Sequence, residues 1–206
     1  MLGKEPGRGY VCPGMSTSKW LLGALTVSLA GMVLVYFGVG QLLAREWSAE
    51  NVRTIAAPPA AVAAVLGDFH TWEHWSSLGA RMPESLGTET KATFAGAPGT
   101  VGHAIVWQGS RGMATLRLAE VAPDHLVCEF ASQDAQETEV RVRGRTDLSW
   151  RAEGSGTRVV WHDAGTWPDL AGRWFGWFGA LQEHVKQIQR VSLDGLQEHF
   201  VGTKPK

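Results

Sequence analysis

The sequence predicts an α+β protein: one hydrophobic helix, then a domain built as a curved antiparallel sheet around a long C-terminal helix. Three observations predict it. Trp20 to Ala44 contains no charged residue; from Thr88 onward apolar residues recur with a period of two between turn residues; and residues 170–200 carry an apolar stripe at steps of three and four. These are the signatures of a membrane span, of half-buried strands and of an amphipathic helix.

The uncharged stretch is bounded by Lys19 and Arg45. As a helix it covers roughly 35 Å, enough for a hydrocarbon layer of about 30 Å. It is longer than the apolar region of a secretory signal peptide, and Leu42-Leu43-Ala44 is a poor small-x-small cleavage site. The chain therefore reads as a tail (1–19), a transmembrane helix (20–44), a short tether (45–50), a domain (51–200) and a C-terminal tail (201–206). Lys4, Arg8 and Lys19 precede the span whereas Arg45 and Arg53 follow it closely. Positive-inside counting thus places the N-terminus in the cytoplasm and the domain outside it. So short a tether holds the domain close to the bilayer.

Beyond residue 45 there are 15 basic and 19 acidic residues. That balance excludes a general nucleic-acid surface. Cys12 and Cys128 lie on opposite sides of the apolar run, so they form neither a disulfide framework nor a zinc site.

Within the domain, 51–55 reads as a short strand stopped by Pro58-Pro59. Pro suits a first helical turn, and Val62, Val65, Leu66 and Phe69 continue a short helix. Trp72 and Trp75, one turn apart, mark a second short helix broken by Ser76, Ser77 and Gly79. Strand patterns follow at 91–94, 103–108, 113–121 and 126–132. The clearest runs from Glu139 to Arg151, where Val140, Val142, Thr146, Leu148 and Trp150 alternate with charged residues. A last strand, 157–163, places Val159 and Trp161 inward and so carries Asp163 to the same face. The order is strand, two short helices, about six antiparallel strands and a long helix whose stripe runs through Trp174, Phe178, Leu181, Val185, Ile188 and Leu196, with a gap at Ser192. A sheet with one apolar face needs such a cover.

Several short pieces, in order, are also familiar: Ala57-Pro58-Pro59-Ala60-Ala61-Val62, Asp68-Phe69 with Trp72 and Trp75, Lys91 to Gly96 followed by Pro98 and Val101-Gly102, Trp107 with Gly109, Glu120-Val121 with Pro123, and Gly156-Thr157-Arg158-Val159 with Trp161. Over residues 50–200 the chain resembles the START-like, or SRPBCC, superfamily, in particular its polyketide cyclase/dehydrase group. It departs from that group in its added span and in Glu73, where proline commonly follows the first tryptophan. The resemblance implies a helix-grip cup holding an apolar ligand between sheet and terminal helix. It does not by itself imply catalysis, since function resides in sites and not in folds.

The residues that would line the cup are Phe94, Trp107, Phe130, Trp150, Trp161 and Phe178, because large aromatic side chains give a cavity apolar walls; ordinary core packing is the alternative for the strand tryptophans. Trp174, Phe175, Trp177 and Phe178 cannot all face one core stripe, since successive helical residues turn by about 100°. The first three are assigned to a portal that meets the cavity mouth or the bilayer. Asp163 is the candidate general acid or base. His70 and His74 have a metal-pair spacing without a supporting motif, and no metal or cofactor is assigned. Cys128 reads as a small core residue. The leading expectation is a membrane-anchored binder or carrier of a lipid-like or other hydrophobic small molecule. The alternatives are a cyclase/dehydratase-like lyase acting on an aromatic or polyketide substrate, and a ligand-free interaction module at the membrane whose protein partner the sequence does not name.

Overall fold

The computed structural model describes residues 17–136, 142–167 and 169–202, and the chain divides into two compact units, residues 1–42 and 43–206. In the first, α1 (Thr17–Leu42) is the helix that the uncharged stretch requires. Its Trp20–Leu42 portion has mean hydropathy 2.0 and is long and apolar enough to cross a membrane; Leu25, Val27 and Leu34 on it are exposed.

The second unit opens directly on β1 (Glu46–Ile55), ten residues long. Residues 46–50, which the sequence pattern leaves as a tether, pair with β7 from Glu46↔Thr166 to Glu50↔His162. The alternation there is masked because β1 has few large apolar residues. Helix α2 (Pro59–Leu66) follows with Pro at its first turn, and buries Val62 and Leu66, four apart, against the sheet. After a 3₁₀ turn (Phe69–Thr71) and α3 (Trp72–Trp75), the chain forms a helix that the sequence pattern does not predict, α4 (Ser77–Leu86). Ser76 does break α3. Its hydroxyl also accepts from the N–H groups of Leu78 and Gly79 and so caps α4. Pro83 lies inside α4 and hides it from a propensity reading.

Seven antiparallel strands make one curved sheet in the order β1-β7-β6-β5-β4-β3-β2. The remaining strands are β2 (Lys91–Ala95), β3 (Ala104–Gly109), β4 (Gly112–Val121), β5 (His125–Asp134), β6 (Val142–Glu153) and β7 (Gly156–Thr166). Of the predicted strand from Glu139, residues 139–141 lie outside the described ones.

The predicted single terminal helix is two helices, α5 (Leu170–Trp177) and α6 (Ala180–Gly202). Gly179 takes φ +71°, and its N–H closes on the Gly176 carbonyl at 2.9 Å. A left-handed glycine just past the last turn ends a helix in this way. Asp169 caps the start of α5 by accepting from the Gly172 N–H at 2.7 Å. α6 packs against β1, α3 and α4, and the approach to α3 is close: a Cβ on Gly195 would lie 2.3 Å from the Trp75 carbonyl oxygen.

Removing residues 1 to 43 is expected to leave a folded, cooperative domain, because every strand and its core survive. Removing residues 1 to 51 strips the Asn51 tie and over half of β1, and is expected to abolish the cooperative thermal transition; circular dichroism melts of the two fragments check this.

Candidate functional site

The register stacks the inner face of the sheet into rows. Trp161, Leu148 and Leu126 form one row, Asp163, Thr146 and Cys128 the next, and Gly165, Gly144 and Phe130 the one beyond. From the β1 side, Asn51, Ala49 and Trp47 join these three rows in turn. Trp161, Leu148 and Leu126 are fully buried, whereas Phe130, Gly144 and Gly165 are only partly buried although they face inward. The sheet's concave face therefore opens at this end. Trp47 closes over Gly165, since a Cβ there would lie 2.7 Å from its indole nitrogen. Gly144 is different: a Cβ would meet only the Ala164 carbonyl oxygen, at 3.7 Å. The floor at Gly144, between Phe130 and Trp47, is bare.

At the bottom of this opening sits a polar group. Gln189 on α6, fully buried, donates to Asp163 Oδ2 at 2.7 Å and to the Ala49 carbonyl at 3.1 Å. Its own oxygen accepts from Asn51 Nδ2 at 2.8 Å, and Asn51 also donates to the Lys186 carbonyl at 3.0 Å. Thr146 donates its hydroxyl to Asp163 Oδ1. Burial holds the Asp163 carboxyl above the ordinary value of 3.8, against the opposing pull of Thr146, Gln189, the Trp161 indole and His162. The Trp161 N–H is turned towards Asp163 closely enough to favour its charged form, yet it has no partner at hydrogen-bond geometry. Burial, with Asp163 and Asp147 nearby, also pushes the Cys128 thiol up.

The predicted lining residues do not share one wall. Phe130 borders the opening, whereas Trp161 lies two rows deeper in the buried core. Trp107 and Trp150 lie in the apolar core, with Trp107 only 2% exposed. Trp161 packs on Trp72 and Trp75, with ring centroids 5.8 and 6.2 Å away. Phe94 stands on the surface, because every residue of edge strand β2 is exposed, and it stacks on His70 at 4.0 Å. Phe178 is 72% exposed, carried out of the stripe by the turn at Gly179. Of the portal residues, Trp177 is 64% exposed and Trp174 half-buried, with their rings 5.8 Å apart. Phe175 lies on α5, its side chain outside the described residues. Trp167 lies against α5, where a Cβ on Gly176 would come within 2.5 Å of its ring.

Gln189, Asn51, Thr146, Trp47 and Gly144 are missed by sequence reasoning. A signal for Gln189 exists: it follows Val185 by four within the apolar stripe. The histidine spacing misleads. His70 Nδ1 meets Asp68 at 2.7 Å and not His74. Asp68, His70 and His103 gather their donor atoms within 4.8 Å, but His103 Nε2 already accepts the Phe69 N–H at 3.1 Å and its Nδ1 faces the Ala95 carbonyl at 3.1 Å. With both nitrogens engaged, the ring serves to fix the Asp68–Phe69 turn. Glu120 is an exposed acid bonded to His125 at 3.2 Å, and with Asp124 it raises the pKa of that histidine.

Residues 46–201 match the family described as polyketide cyclase / dehydrase and lipid transport. The chain belongs to this family. Comparison with the curated proteins gives no match. Among solved structures it is similar to protein MLL2253 from Mesorhizobium loti, with 17% identity and TM-score 0.54 over 77% of this chain and 100% of that one. It is similar also to a protein from Thermobifida fusca, with 22% identity and TM-score 0.51 over 74% and 92% of the two chains. DynU16, from the dynemicin biosynthetic locus, matches with 14% identity and TM-score 0.51 over 77% of this chain but 48% of its own. Identities this low carry the helix-grip fold alone. They leave the family's chemistry to be argued from the residues around Asp163.

Two outcomes follow. Trp107→Ala is expected to cost about 3 to 5 kcal/mol in chemical denaturation, as for a large aromatic removed from a packed core; a loss below about 1 kcal/mol would place that ring beside open space instead. Asp163 has its folded pKa above the unfolded value near 3.8, so the folded state binds more protons and stability falls as pH rises through the folded value. Asp163→Asn should therefore gain stability relative to the native chain between pH 4 and pH 7, read from urea midpoints. A difference that does not change with pH would contradict the burial cost.

Proposed function

We propose that this chain is a membrane-anchored binding or carrier protein for a lipid-like or other hydrophobic small molecule. One observation carries the reading: the inner face of the sheet is bare at Gly144, beside a partly buried Phe130, two rows from a buried tryptophan cluster. Apolar surface left open inside a cup is what such a ligand would cover. The family's description, which includes lipid transport, agrees with it. A depression of about 590 Å³ also borders Trp47, Gly165 and Gln182, but Arg145 and His162 line it from the outer face. It runs over the edge strand and is not counted as the ligand site.

The anchor is α1, and Trp174, Phe175 and Trp177 form the portal, with Phe178 beside them. Trp177 and Phe178 expose apolar surface at the turn that ends α5. Trp167, which packs on α5, donates its backbone N–H to the Arg45 carbonyl at 2.8 Å. The chain thus enters the domain at the aromatic end, with only Leu43, Ala44 and Arg45 following α1. Lipid suits the exposed rings as a neighbour, since tryptophan prefers the membrane interface.

A second reading, a cyclase/dehydratase-like enzyme, is favoured by Asp163, an inward-facing carboxyl whose pKa burial raises. Turnover of an aromatic polyketide that vanishes in Asp163→Asn would support it.

A Cβ at Gly144 meets only the Ala164 carbonyl oxygen, at ordinary contact distance, so Gly144→Leu projects its side chain over the bare floor. It is expected to abolish uptake of a fluorescent fatty acid while the melting temperature stays within a few degrees. Unchanged uptake would remove the opening from the account. Trp177→Ser and Phe178→Ser are expected to slow exchange of the same probe with vesicles severalfold at nearly unchanged stability; if both variants unfold, those rings are core and the portal is rejected.

A further inference from the structure

Trp161 and Asp163 hold more hydrogen-bonding capacity than their surroundings use. The two are separated by one residue on β7 and so face the same side of the sheet. The Trp161 indole N–H is buried and turned towards Asp163, and among the described residues its nitrogen has no partner at full hydrogen-bond geometry. Asp163 accepts one bond on each oxygen, from Thr146 and Gln189, which leaves a free lone pair on each. A buried donor without an acceptor is costly in a folded protein, and each such group calls for a partner. The Asp163 row adjoins the row that opens at Gly144, and the Trp161 row lies one step deeper, so a molecule resting on that floor meets Asp163 first and Trp161 behind it.

We propose that Trp161 and Asp163 form a polar anchor for the hydroxyl group of an otherwise apolar ligand, an alcohol or a phenol. The hydroxyl oxygen accepts from the Trp161 indole N–H, and the hydroxyl proton is donated to a free lone pair of the Asp163 carboxyl. A hydroxyl supplies both an acceptor and a donor in one small uncharged group. A carboxylate would place its charge against Asp163, an ammonium group offers the indole no acceptor, and a ketone has no proton for Asp163. The neighbouring residues Phe130, Leu148 and Cys128 are apolar and add no charge. Thr146 and Gln189 position the carboxyl and leave the indole free. This anchor rests on the binding reading above and specifies the class of ligand within it.

The test uses the full-length protein in lipid nanodiscs, with empty nanodiscs as background, and two probes of matched shape, 2-naphthol and 2-methylnaphthalene, in equilibrium dialysis. A site built to bond a hydroxyl rejects an analogue that lacks it, so the native protein is expected to prefer 2-naphthol by about tenfold or more. Trp161→Phe keeps the ring and removes the N–H; it should bring the two affinities together by weakening 2-naphthol alone. Equal affinities in the native protein overturn the anchor while sparing the binding reading, because the pair then takes only water. A preference that survives Trp161→Phe also overturns it. If neither probe binds above background, the binding reading fails and the anchor with it. The comparison on the native protein needs no variant to fold.

Discussion

The amide of Gln189 is the interaction on which the rest of the domain depends. It is fully buried on α6, and all of its hydrogen-bonding groups are used: two donors reach Asp163 and the Ala49 carbonyl, and its oxygen takes Asn51. One side chain thus ties the terminal helix to β1 and β7 together. Ser192, one turn further on, accepts the Ser77 N–H at 2.9 Å and fixes the helix to α4, and Gln197 takes the Ala56 N–H at 2.8 Å. Apolar contacts alone are non-directional and would let a helix settle as deep into a sheet as volume permits. Directional polar ties set its height and rotation instead. A helix held in this way can cover a curved sheet without closing the end at Gly144.

The same ties explain the division of the interior. On one side of the Asp163 row the tryptophans pack against one another, with Trp72 and Trp75 5.0 Å apart, and close approaches at Gly79 and Gly195 draw α3, α4 and α6 together. On the other side, Gly144 and Gly165 face each other across β6 and β7; Trp47 covers Gly165, and Gly144 is left bare. Asp163 lies at the boundary, where burial and four nearby groups act on it in opposite directions.

Much of this was legible in the sequence, for reasons that differ by element. The span, α2 and strands β3 to β7 follow from periodicity, and period two on β7 is what places Asp163 inward beside Trp161. The terminal helix was legible as a stripe, but its break was not: Gly176 and Gly179 lower helix propensity alike, and only the left-handed φ of Gly179 makes one of them a terminus. The gap at Ser192 was visible, yet its meaning was not, because it depends on a backbone N–H of Ser77 brought in by a helix hidden behind Pro83. Phe94 and Phe178 show the limit of choosing lining residues by size. Both are large and apolar, and both are exposed because of where the chain ends a sheet or turns out of a helix.

The central claim, an apolar ligand held between sheet and helix, is tested most directly by native mass spectrometry of the full-length protein released gently from detergent. The account predicts a population heavier than the chain by one small apolar molecule, in one-to-one ratio, which Gly144→Leu does not retain. A uniformly ligand-free protein that also fails to take up added fatty acid or phospholipid would contradict it.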